Sequence, residues 1–122
     1  MFKNILLAYD GSAHANKAML YSGHIAEMLK AKITIITVYE DQQVVEHYSR
    51  EAEKYLSNYQ IAINHINVSG SHARQIVEYA EKSNQSLIAI GAYGHSRLKQ
   101  ALLGSTTGYI LGHSKCPVLL AK

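Results

Sequence analysis

The chain has one cysteine, Cys116, so no disulfide can form within it, and the sequence reads as that of a protein kept in a reducing compartment. It has one proline, Pro117, no tryptophan and one phenylalanine. It has no Pro-, Gly- or Ser-rich linker, no low-complexity tract and no internal repeat. No segment approaches the ~20 consecutive apolar residues of a membrane span. The opening stretch, "MFKNILLAYDGS", is too short in its apolar part for a signal peptide and is interrupted by Asp10, so a cytoplasmic location is expected. Net charge is only +3, with no run of Lys and Arg and no interleaving of basic and aromatic residues. Nucleic-acid binding is not expected on that basis, nor is a membrane partner, whereas a small anionic ligand fits the modest charge.

What is present is a globular composition. At 122 residues, 48% apolar and 17% charged, the chain has the material for one domain, residues 1–122, around one shared core. Nine tyrosines supply most of the aromatic surface. Tyrosine joins apolar area to a hydroxyl, which suits half-buried positions.

The apolar pattern switches period along the chain. Residues 4–9 ("NILLAY") form a short, nearly continuous apolar run, as a buried parallel strand does. Ala15, Ala18, Ser22, Ile25, Ala26 and Leu29 then recur at helical spacing. Residues 32–39 are β-branched and read as a second strand. A helix over 43–59, a half-buried strand over 61–68 and a helix over 71–83 follow. A strand over 86–90, a helix after Gly104 and a strand over 117–121 complete the series. Strands alternating with helices predict an α/β fold, a five-stranded parallel sheet with helices on both faces and right-handed crossovers. In such sheets ligands bind at the carboxyl ends of the strands. That singles out "YDGS", "VYED", "SGSH" and "GAYG".

The segment "GAYGHSRLKQALLGST" (91–106) carries three glycines, a Ser-Thr pair, an arginine, a lysine, a histidine and no acid. Glycines at a strand exit let a ligand approach the backbone, and a helix opening at Gly104, Ser105 and Thr106 presents unpaired N–H groups to an anion. The same residues can equally make turns and cap a helix. No Lys-Ser/Thr pair follows the last glycine and there is no G-x-G-x-x-G, so neither of those phosphate loops is present.

The spacing G-x2-G-x9-G-S in that segment, with "NILLAYDGS", "ITIITVYE" and "GYILGHSKCPVLL" around it, resembles the ATP-binding branch of the universal stress protein family. The resemblance implies a Rossmann-like fold with strand order 3-2-1-4-5. It implies ATP as ligand, with Mg or Mn carried on the phosphates rather than held by protein side chains. It assigns Ala8, Tyr9 and Asp10 to the nucleoside pocket, Val38 to the adenine edge and Gly91 and Gly94 to the turn beside ribose and phosphates. His95, Gly104, Ser105, Thr106 and Thr107 fall at the phosphates, and Gly70 in the loop after the third strand. His95 stands where many members carry Lys or Arg, and Arg97 and Lys99 are near enough in sequence to compensate. Gly108 and Gly112 stand in the last helix where charged residues are common, at a cost of up to ~1 kcal/mol each. The resemblance also implies a homodimer paired through residues 117–121, since an apolar edge strand needs cover.

Other constellations carry less. The seven histidines include no i, i+4 pair on one helix, and only His113 lies near Cys116, so no protein-held metal site is expected. No acid besides Asp10 accompanies the motif to position metal or water for phosphoryl transfer. The expected role is regulatory or sensory, with little or no turnover. A slow ATPase and a dimeric interaction module with a vestigial pocket are the alternatives.

Overall fold

The computed structural model describes residues 2–38, 41–69, 72–93 and 103–122. Five strands and four helices alternate along them. They are β1 (Asn4–Ala8), α1 (Ala13–Leu29), β2 (Lys32–Val38), α2 (Gln42–Leu56), β3 (Ile63–Val68), α3 (His72–Lys82), β4 (Leu87–Gly91), α4 (Ser105–His113) and β5 (Val118–Ala121). The strands form one parallel sheet in the order β3-β2-β1-β4-β5. Fold class and strand order are those expected from the sequence.

Strand parity divides the core. Ile5 and Leu7 of β1, with Ile33 and Ile35 of β2, face Ala15, Ala18, Met19 and Ala26 of α1 and Ala52 and Leu56 of α2. Leu6, Ala8, Ile36, Val38, Ile88 and Ile90 point the other way, onto Ile76, Val77 and Ala80 of α3 and Ile110 of α4. Every residue of β4, and all but the first of β1 and β2, is buried, which is why these strands read as unbroken apolar runs. The outer strands are half-covered: β3 exposes Asn64 and Asn67 and half-buries the rest, and β5 is only partly buried until Ala121.

The helices differ in small ways from the sequence reading. On α1 the buried stripe includes Met19 and Gly23, while Leu29 is exposed, because the helix ends at the left-handed Lys30 and its last turn leaves the sheet. Gly23 lets Tyr59 lie against the helix, since a Cβ there would come within 2.7 Å of the Tyr59 ring. Pro117 precedes β5 rather than opening it, and its carbonyl accepts from the Ile88 N–H at 3.0 Å. A proline costs the ladder nothing at that point.

Candidate functional site at the carboxyl ends of β1, β2 and β4

The chain leaves β1 into a turn built by Asp10. Its Oδ1 accepts from the backbone N–H of Ser12 at 2.9 Å, an Asx turn that sets the entry to α1. Ser12 caps α1, with its Oγ accepting from Ala15 N–H at 3.3 Å, and it donates to the carbonyl of Tyr93 at 3.4 Å. The exits of β1 and β4 are thus joined through one buried hydroxyl. His14 adds a second link, its ring meeting that of Tyr93 edge-on with centroids 5.0 Å apart.

Ala8 ends β1 and Tyr9 follows it, both buried. The Tyr9 N–H donates to Ile36 C=O at 3.1 Å and extends the β1–β2 ladder by one step. Its hydroxyl donates to Asn16 Oδ1 of α1 at 2.6 Å. Burial pushes the Tyr9 phenol up to about 12, with the negative charges of Glu51 and Asp10 and the nearby Tyr48 adding to the effect. Tyr9 therefore packs into the core as well as bordering the crevice. Val38 ends β2 with its side chain in the core facing α3 and α4. Ladder parity turns its backbone N–H and C=O toward β1, as it does those of Ile36. Its backbone rather than its side chain therefore addresses the crevice.

On the far side, Gly91 is the last residue of β4. A Cβ there would lie 2.6 Å from the His14 carbonyl carbon and 2.7 Å from the Ala15 nitrogen. The backbone of α1 already fills that space, which accounts for the glycine by helix–sheet packing. The Gly104 N–H donates to Ala92 C=O at 3.2 Å, which brings the start of α4 back to the end of β4. Gly104 is the N-cap of α4, and among the described residues no side chain caps this helix. Ser105 and Thr106 are its first residues and do not act as caps. Thr107 is buried and donates its hydroxyl to Gly91 C=O at 2.9 Å. The first turn of α4 contains no acid. By helix geometry the N–H groups of Ser105, Thr106 and Thr107 have no intrahelical acceptor and carry the positive end of the helix dipole.

The structure thus brings Ala8, Tyr9, Asp10, Val38, Gly91, Gly104, Ser105, Thr106 and Thr107 to one end of the sheet. Gly94, His95, Arg97, Lys99 and Gly70 lie outside the described residues. Ser12 and Tyr93 fall within "YDGS" and "GAYG", but the sequence reading gives neither a role of its own. The Asp-x-Ser spacing of an Asx turn leading into a helix cap was the available signal for Ser12.

A model of the universal stress protein family matches residues 1–49 and 40–122. The chain belongs to that family. It is 31% identical over 118 residues to universal stress protein Slr1230 of Synechocystis, covering 94% of this chain and 41% of that protein. The chain therefore spans less than half the length of that relative. It is 28% identical to universal stress protein YxiE of Bacillus subtilis, with both chains covered in full. Among solved structures, a universal stress protein in complex with cAMP superposes with a TM-score of 0.79 at 26% identity, covering 98% of this chain and 97% of that one. Among the described residues no helix is long and apolar enough to cross a membrane.

Proposed function

We propose that this universal stress protein binds ATP at the carboxyl ends of β1, β2 and β4, in a regulatory or sensory role with little turnover. The observation that carries the reading is the start of α4. A helix with no acid in its first turn, and no side-chain cap among the described residues, opens at the same end of the sheet as the Asp10 turn, where α/β folds hold ligands. In this reading Asp10 meets the nucleoside, the backbone of Val38 meets the adenine edge, and the N–H and hydroxyl groups of Ser105 and Thr106 meet phosphate. Mg or Mn comes with the nucleotide, held by phosphate oxygens and water. The relative crystallised with cAMP supports an adenine nucleotide as the ligand class.

Mass spectrometry of nucleotide co-purifying with the native protein tests the reading directly, and ATP is the expected species. Calorimetric titration should find ATP tighter than GTP, and equal affinities would sink the adenine assignment. Incubation with ATP and magnesium should release ADP slowly at most, and turnover near ~1 per second, an ordinary enzyme rate, would overturn the sensory role.

The same reading includes a homodimer. Strand β5 is one edge of the sheet, and Val118, Leu119 and Leu120 are only partly buried there. Antiparallel pairing of β5 with its copy gives a twofold, self-complementary interface that removes the exposed edge. Sedimentation at micromolar concentration should give a dimer, and a monomer there would refute it.

A further inference from the structure

We propose that Tyr48 is a positioning residue for the nucleoside half of the site, acting through Gly11 on the Asp10 turn. The inference rests on the nucleotide-binding reading above. Tyr48 sits in the second turn of α2, 38 positions after Asp10 in sequence. Gly11 has φ +78°, and a Cβ on it would overlap the Cδ1–Cε1 edge of the Tyr48 ring. The ring therefore lies flush against the backbone that directly follows Asp10. It also meets Tyr9 edge-on, with centroids 6.2 Å apart at 84°. Tyr9 is itself fixed to β2 through its N–H and to α1 through its hydroxyl.

The turn is thus held from two sides. On one side the Asp10 carboxylate grips the Ser12 N–H, and Ser12 is tied into α1 and to Tyr93. On the other side the Tyr48 ring fills the volume into which Gly11 would rotate. A glycine left unsupported at this point would sample many conformations, and each would carry the Asp10 carboxylate to a different place. Holding it in one conformation before the ligand arrives removes that ordering cost from binding.

The phosphate half is built elsewhere. Helix α4 packs on the opposite face of the sheet from α2, and its start is tied to β4 through Thr107 and Gly104. Loss of the Tyr48 ring should weaken recognition of the nucleoside and leave recognition of the phosphates intact.

The test compares adenosine and inorganic triphosphate as separate calorimetric probes of the full chain, with thermal melting recorded without ligand. Tyr48→Leu keeps apolar volume on α2 and removes the ring. It should lose about tenfold in adenosine affinity, while triphosphate affinity stays within about twofold of wild type. Tyr48→Met likewise keeps apolar volume on α2 without the ring and should show the same selective loss, so it decides the matter if Tyr48→Leu does not fold. Unchanged adenosine binding in the folded variant overturns the proposal, as does parallel loss of both probes. A wild-type chain that binds neither adenosine nor ATP would instead bring down the nucleotide reading itself.

Discussion

The hydroxyl of Thr107 donates to the carbonyl of Gly91 across 2.9 Å, fastening the first turn of α4 to the last residue of β4. Both groups are buried, so the bond cannot be replaced by water without rearrangement. Thr107→Val keeps the shape and leaves the Gly91 carbonyl without this donor, at an expected cost of about 1–2 kcal/mol. Thr107→Ser keeps the donor and should cost less. Chemical denaturation of the two variants separates hydroxyl from methyl, and equal losses would show that packing, not the hydrogen bond, matters here.

Gly91→Ala should destabilise the fold by about 2–3 kcal/mol, because the new methyl meets the backbone of α1 at His14 and Ala15 and not a side-chain end that can swing aside. The resemblance assigns this glycine to ligand approach, whereas its Cβ direction ties it to packing. Thermal melting without nucleotide discriminates between the two. A variant as stable as wild type would contradict the packing account.

Helix α4 has room to improve. Gly108 and Gly112 are exposed, and a Cβ on either would have no neighbour within 4 Å among the described residues. Alanine at each position should therefore add up to about 1 kcal/mol through backbone entropy and helix propensity alone. The double variant should raise the melting temperature, and a fall would mean that these glycines serve a contact beyond the monomer.

A buried hydroxyl offers an opposite kind of gain. Thr37 on β2 is buried and its Oγ1 has no hydrogen-bond partner among the described residues. Thr37→Val removes the unsatisfied polar atom and keeps the β-branched shape that the strand favours. An increase in stability of about 1 kcal/mol is expected in denaturant titration. A loss of similar size would show that the hydroxyl is in fact satisfied.

These positions show which parts of the molecule its sequence makes legible. Strands β1, β2 and β4 are buried on both faces, so their apolar runs are continuous and unmistakable. Helix stripes are nearly as clear, and fail where the helix leaves the core, as at Leu29, or where a residue without apolar side chain is buried, as at Gly23. The glycine and Ser-Thr spacing marks the start of α4 because it is local in sequence. The link from Ser12 to Tyr93 spans 81 positions, and the ring of Tyr48 reaches Gly11 from another helix. Such contacts depend on how α1 and α2 cross the sheet, and no local periodicity encodes that.

The last expectation concerns alkaline pH. The Tyr9 phenol is pushed up to about 12 in the fold, against 10.0 for the free side chain, first by burial and then by the charges around it. Its hydroxyl also donates to Asn16 Oδ1, a bond that exists only while the phenol is protonated. The folded state therefore holds this proton more tightly than the unfolded one. The stability it contributes is complete below pH about 10 and is lost as pH rises toward 12. The difference corresponds to about 3 kcal/mol in all, of which about half is gone by pH 11. Tyr9→Phe lacks the proton and keeps the ring. All other ionisable groups are common to the two proteins and cancel in the comparison. Denaturation midpoints at pH 9 and pH 11 should show wild type losing about 1 kcal/mol more than Tyr9→Phe over that interval. Parallel loss in the two proteins would mean that Tyr9 ionises in the fold as readily as a tyrosine in water.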